Sequence, residues 1–241
     1  MISRKIIYLI AAALIVGLTV VVTVIVDRSW TVGIPTVPSC DVYPIRGIDV
    51  SAHNGVIDFE AVAADSIDFV LIKATEGGDF KDRRFHRNIE AARRAGLAVG
   101  AYHFFRFDTS GYLQGLNFVN SIAGHQLDLP VVIDLEEYSN PRISSTEMIV
   151  RRLRDMIAHL ERHGYRVMIY TNKDGYERFV KGRFEGIPLW LATFTPPPSE
   201  VTWRLWQYSH RGSVNGIDAK VDMNVFAGSR DAWQQLLDNR D

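Results

Sequence analysis

Two kinds of apolar run interrupt the polar sequence of this chain, and they call for different structures. The first, IIYLIAAALIVGLTVVVTVIV from Ile6 to Val26, carries no charge. As a helix it would extend roughly 31 Å, close to the hydrocarbon thickness of a bilayer. From Ile45 onward the apolar runs are short. IRGIDVS (45–51), FVLIKAT (69–75), AVGAYHFF (98–105), PVVIDLE (130–136) and RVMIYTN (166–172) read as strands, separated by helical patterns around 58–65, 83–95, 110–123 and 145–163. Gly96 and Gly164 stand where two of those helices would end, and Ser144-Ser145-Thr146-Glu147 has capping-box spacing for the start of the fourth. After a fifth helix near 174–181 the rhythm changes. PLWLATF, WRLWQYS and AKVDMNVF follow with little room for helices between them. Strands alternating with helices predict an α/β fold built on a parallel sheet. Eight strand candidates and about five helices predict a TIM-like barrel over residues 45–241, its last third abbreviated.

The amino-terminal run adds a membrane to this picture. Arg4 and Lys5 precede it, whereas Asp27 and Arg28 follow and nearly cancel. The positive-inside bias therefore predicts a cytoplasmic tip at 1–5, a transmembrane helix at 6–26 and an extracytoplasmic location, periplasm or cell-wall side, for everything beyond. A cleaved signal peptide has a shorter apolar core and a small-residue site; Val26-Asp27-Arg28 is a poor one, so an uncleaved anchor is expected. Pro35, Pro38 and Pro44 make residues 27–44 a stiff spacer. Cys40 is the only cysteine, so no intramolecular disulfide can form.

With 241 residues, 47% of them hydrophobic, the chain has material for one sizeable core. The formal net charge is −1 and the 27 basic residues are scattered, which gives no electrostatic ground for binding nucleic acid.

Polar residues collect at the tips of the strand candidates: Asp49 and Ser51, then Lys73, Thr75 and Glu76, then Tyr102 and His103. The later runs add Asp134 and Glu136, Tyr170 and Asn172, Trp206 and Tyr208, and Asp222 and Asn224. In a parallel barrel all carboxy ends open on the face where active sites are built. One polar strand tip is ordinarily a satisfied strand end; their joint occurrence points to a site.

Within that set Asp134 and Glu136 carry the chemistry. Strand side chains alternate, so the two point the same way, about 6.6 Å apart along the backbone, while Glu137 falls on the other side. Like charges this close push one pKa upward, leaving a protonated acid beside an ionised partner. That is the requirement for general-acid cleavage of a glycosidic bond. Glu has the longer reach, so Glu136 is assigned as proton donor and Asp134 as its charged partner. The spacing leaves retention, inversion and assistance by a substrate acetamido group all open, because rotamers alone cover the carboxyl separations of the first two. The bland alternative is a pair bridged to Lys73 or Arg106.

His159 and His163 stand one helical turn apart, but Leu160 occupies the position where a zinc-protease motif has Glu, and a helix end that favours cations explains both. His103 reads as a hydrogen-bonded pocket wall. No phosphate-binding Gly-rich loop, Gly-x-Ser-x-Gly elbow or metal-ligand set is visible, so no cofactor and no metal are expected.

These residues resemble glycoside hydrolase family 25, the Chalaropsis-type lysozymes. RGIDVSAHNGVIDF is similar to the family's opening strand and loop, VLIKATEG and GAYHFF to its second and third strands, VVIDLE to its Asp-x-Glu pair and LWQYSHRGSVNGIDAKVDMNVF to its closing segment. The likeness runs in order from about Arg46 to Phe226. It implies a barrel of eight strands and five helices that hydrolyses the β-1,4 bond between N-acetylmuramic acid and N-acetylglucosamine in peptidoglycan glycan strands. Asp49, Asp134, Glu136 and Asp222 match the family's acidic cluster, with Glu136 as proton donor. Lys73, Glu76, Tyr102, Tyr170 and Trp206 fall where the resemblance implies substrate contacts; His103, Asn172 and Tyr208 join them from the strand-tip pattern. The chain departs from the pattern at Ala52, His53-Asn54-Gly55 and Phe59, near Asp49. Two other readings compete: a peptidoglycan-binding module without turnover, and a metal-dependent deacetylase or amidase acting on the same polymer. Protein partners are not specified by the sequence.

Overall fold

A computed structural model of the chain describes residues 37–142 and 145–238. The expected tip at 1–5, the membrane helix at 6–26 and the spacer as far as residue 36 lie outside the described residues, as does Ser144. Among the described residues no helix is long and apolar enough to cross a membrane.

The strands are β1 (Arg46–Val50), β2 (Phe69–Glu76), β3 (Phe80–Lys81), β4 (Ala98–Phe104), β5 (Val131–Asp134), β6 (Val167–Asn172), β7 (Leu189–Ala192), β8 (Leu205–Gly212) and β9 (Val221–Phe226). Eight of them form a closed ring in the order β1-β9-β8-β7-β6-β5-β4-β2, sealed by parallel pairing of β1 with β2, and the two-residue β3 is a flap on β2. The helices are α1 (Phe59–Ala64), α2 (Phe85–Arg94), α3 (Gly111–Ile122), α4 (Thr146–Arg162), α5 (Lys173–Gly175) and α6 (Arg230–Asp238). Asp58 caps α1 by accepting the N–H groups of Glu60 and Ala61, and Ser145 caps α4 by accepting that of Met148. Gly96 and Gly164 follow α2 and α4 at φ +81° and +79°, the left-handed turn that stops a helix. The helix expected near 174–181 starts as α5 and continues as a π-helical turn, Tyr176–Val180.

The barrel is mixed, which corrects the all-parallel expectation. A parallel return needs a crossover of a dozen or more residues. No helix lies between Gly212 and Val221, so β9 comes back antiparallel to both β8 and β1. Asp222 thus reaches the rim from the amino end of its strand, directly opposite Asp49.

Alternate residues face two cores. Phe69, Leu71, Val132, Met168, Trp190 and Leu205 fill the barrel. Trp233 of α6 plugs its floor, packing on Phe69 and Phe226 with ring centroids 5.2 and 5.1 Å away. A Cβ at Gly47 would overlap the Phe69 ring, so only glycine fits there. The outward residues, among them Val70, Ile72, Val99, Ile133 and Ile169, pack in the outer layer with the helices. No helix separates β7, β8 and β9 in the chain, and on that side Tyr43 packs on Trp203 and Trp206, each at 5.9 Å. The chain enters at the floor, where Cys40, Pro44, Arg46, Asp68 and Arg230 border a shallow hollow; Cys40 is exposed.

Candidate active site

With the floor plugged, the barrel opens at one end only, into a cleft of about 780 Å³. All four acids of the expected cluster line it: Asp49, Asp134, Glu136 and Asp222. Lys73, Tyr102 and Tyr170 join them from β2, β4 and β6, as expected.

Asp49 is the anchor of the polar layer. Its Oδ2 accepts Gln207 Nε2 at 2.9 Å and Asn224 Nδ2 at 2.8 Å. Each carboxamide is oriented in turn by an aromatic donor: Tyr170 OH donates to Gln207 Oε1 (2.9 Å) and Trp190 Nε1 donates to Asn224 Oδ1 (2.8 Å). Asp49 also hydrogen-bonds Asp222 across the β1–β9 pair. Burial, and then the Asp222 charge, hold the Asp49 carboxyl well above the usual carboxylate range. Asp222 is pushed up to about 6, chiefly by burial.

The other pair behaves likewise. Burial and then the neighbouring Glu136 raise Asp134, whereas burial and then Asp49 raise Glu136 to about 7; Lys73 opposes both shifts. Asp134 is 7% exposed, and its buried Oδ1 meets no hydrogen-bond partner among the described residues. Glu136 stands further out, past the end of β5.

Five of the expected contacts need correction. Lys73 Nζ donates to Glu76 at 2.8 Å and lies over the Phe104 ring, while Arg106 approaches Glu76 at 3.7 Å. Glu76 therefore holds the cation and does not line the cleft. His103 is fully buried on the outer face, between Thr75 (2.7 Å) and Gln114 (3.0 Å), and burial lowers its pKa to about 4. Asn172 accepts the Gly175 N–H and caps α5. Trp206 and Tyr208 point outward: Trp206 donates to the Thr193 carbonyl at 2.7 Å and packs on both Tyr43 and Tyr208. The inward residue of that strand is the intervening Gln207.

Several cleft residues lie outside the expected set. Phe104, Trp190 and Gln207 form its walls. At the lip stand Tyr138, 78% exposed, and Phe194, 43% exposed and stacked edge-on to His210 at 4.7 Å. His53 also lines the cleft; Phe59 is buried in the outer layer, away from it. The signal for Gln207 was a polar residue within an apolar strand. Among the described residues no group of three His, Cys, Asp or Glu side chains is arranged to hold a metal ion.

Raised carboxyl pKa values make stability depend on pH with a definite sign. The folded state binds the protons of Glu136 and Asp222 more tightly than the unfolded chain, whose values lie near 4.5 and 3.8. Their contribution is fully present below those values and is lost as pH rises through about 6 and 7. Burial of neutral His103 gives the opposite slope below about pH 6.5, so the test lies above it. Between pH 6.5 and 8 the unfolding free energy, and with it the urea midpoint, is expected to fall, by on the order of 1 kcal/mol for the acid cluster. A midpoint that rises across that interval would contradict the buried, protonated cluster.

Comparison with known proteins places this geometry. The profile of the family described as "Glycosyl hydrolases family 25" matches residues 48–217. The chain is similar to an uncharacterized protein YegX of Escherichia coli, 35% identical over 205 residues that cover 81% of this chain and 74% of the relative. It is also similar to lysozyme M1 of Streptomyces globisporus, 35% identical over 224 residues, 85% of this chain and 75% of that one. Among solved structures, a family 25 glycosyl hydrolase from Bacillus anthracis superimposes with a TM-score of 0.76 at 33% identity, covering 82% of this chain and 95% of the other.

Proposed function

Because the chain belongs to family 25 of the glycosyl hydrolases, we infer that it is a muramidase, an enzyme that hydrolyses the β-1,4 bond between N-acetylmuramic acid and N-acetylglucosamine in peptidoglycan. The observation that carries the reading is the gathering of four carboxyls in one cleft, with Glu136 keeping its proton to about pH 7 at the accessible edge.

The chemistry follows from that arrangement. Sugar rings stack on the half-buried aromatic walls, Tyr102 and Tyr170, with Tyr138 and Phe194 gripping the strand at the lip. Glu136 protonates the glycosidic oxygen as the bond to the anomeric carbon breaks. The positive charge that develops on the ring is met by the carboxyl groups around it, Asp134 and the hydrogen-bonded Asp49–Asp222 pair. The unpartnered Oδ1 of Asp134 is suited to accept the N–H of a substrate acetamido group. Incubated with purified peptidoglycan, the full chain is expected to release new reducing ends on N-acetylmuramic acid. Saturable binding without product, or activity abolished by a chelator, would overturn the reading in favour of a binding module or a metal-dependent enzyme.

The enzyme is further proposed to work from the membrane. The support is the uncharged run Ile6–Val26, with Arg4 and Lys5 before it, which favours a cytoplasmic tip and an extracytoplasmic barrel. Recovery of the intact chain in the soluble fraction of its host would reject the anchor.

A further inference from the structure

Among the described residues, three side chains tie down the turn that carries Glu136: Arg178 pairs with Glu137, Arg106 holds Ser139, and Asn140 alone reaches the backbone of Glu136 itself. As far as residue 135 the backbone is held by its neighbours: Phe105 N–H donates to the Asp134 carbonyl and Leu135 N–H to the Tyr170 carbonyl, both at 2.9 Å, and the Thr171 hydroxyl donates to the Leu135 carbonyl at 2.7 Å. Beyond it the strand has ended. There the Glu136 carbonyl accepts Asn140 Nδ2 at 2.8 Å. The same nitrogen donates to the Phe105 carbonyl at 2.9 Å, and Asn140 Oδ1 accepts the Phe107 N–H at 2.8 Å. Between them Ser139 sits at φ +61°, a left-handed conformation uncommon for a residue with a side chain, and Arg106 donates to its carbonyl at 2.6 Å.

From this geometry we propose that Asn140 is the positioning residue of the proton donor: its carboxamide clasps the 136–140 turn to the 105–107 segment and so fixes where the Glu136 carboxyl stands in the cleft. The proposal rests on the reading of Glu136 as the acid. Both hydrogens of Nδ2 and one lone pair of Oδ1 are used, so few other side chains reproduce the clasp. Alanine leaves two carbonyls and one N–H without their partner. Aspartate keeps the acceptor but sets a carboxylate oxygen against two carbonyl oxygens. Released, the turn lets Glu136 swing toward water and away from Asp49, Asp134, Asp222 and Lys73, the charged groups that face it. A displacement of about 1 Å in a catalytic group costs on the order of 10²-fold.

The test compares wild type, Asn140→Ala and Asn140→Asp as full chains. Turnover on peptidoglycan is read as kcat and KM separately, and the Glu136 carboxyl is titrated by ¹³C NMR. The expected result is a kcat lower by about 10–100-fold at nearly constant KM, with the Glu136 titration and the alkaline limb of the rate profile both moved to lower pH. Variants whose kcat per folded molecule and Glu136 titration both match wild type overturn the proposal, even if they melt earlier; so does a rise in KM alone. Should wild type itself form no reducing ends, the muramidase reading fails, and the titration still decides whether Asn140 places the carboxyl.

Discussion

Glu136→Gln is expected to lower kcat on peptidoglycan by about 10²–10⁴-fold, the contribution of a positioned general acid, while making the folded protein more stable at pH 8. Glutamine has nearly the same shape and keeps the carbonyl oxygen, so the walls of the cleft need not move. Its amide cannot deliver a proton to the leaving oxygen. At the same time it removes a charge that the fold resists, because burial and the nearby Asp49 hold the Glu136 carboxyl at about 7. Above that pH the wild-type chain folds against the cost of an ionised, half-buried group, and the amide does not. The two effects are measured separately, by reducing-end release at pH 6 and by urea unfolding at pH 5 and pH 8. Undiminished turnover would move the acid elsewhere; equal midpoints at pH 8 would show that Glu136 is not held above its ordinary range.

Gly111→Ala is expected to cost about 3 kcal/mol, or a melting temperature lower by roughly 6–12 °C. Helices α3 and α4 cross where Gly111 meets the backbone of Arg152, and a Cβ at Gly111 would overlap the Arg152 carbonyl oxygen. That oxygen belongs to a hydrogen-bonded helix and cannot rotate aside as a side chain would. Four residues on, a Cβ at Gly115 would lie 3.0 Å from His159, so the same helix face has no slack into which Gly111 could shift. Relief therefore requires α4 to retreat, which draws the Arg152 guanidinium away from the Phe107 carbonyl it holds and loosens the segment that Asn140 clasps. A melting temperature within 2 °C of wild type would show that the helices separate freely.

The barrel was legible because its first five strands are short apolar runs punctuated by capped helices. The acids were legible because nothing in a barrel interior calls for carboxylates. What the pattern could not supply was the inward face of a strand buried on both sides. Along Trp206, Gln207 and Tyr208 the aromatic residues drew the assignment, yet the outer face lacks a helix and uses their rings to shelter the sheet under Tyr43. Trp190 was hidden the same way, flanked by Leu189 and Leu191. His103 lost its place to the same alternation, one residue after Tyr102. Strand direction at Asp222 was implicit in the short final connections, since a crossover does not fit within them. Asn140 left no sequence signal at all: its role exists only where two loops from different strands meet.

Cys40 is the sole thiol of the chain, exposed, and bordered by the residues that begin β1 and α6, at the plugged end of the barrel. Coupling a surface or a probe to that sulfur by maleimide chemistry leaves every molecule with its mouth turned outward. A randomly attached preparation would bury a fraction of its clefts against the support; one held by this single atom presents them all to an insoluble polymer.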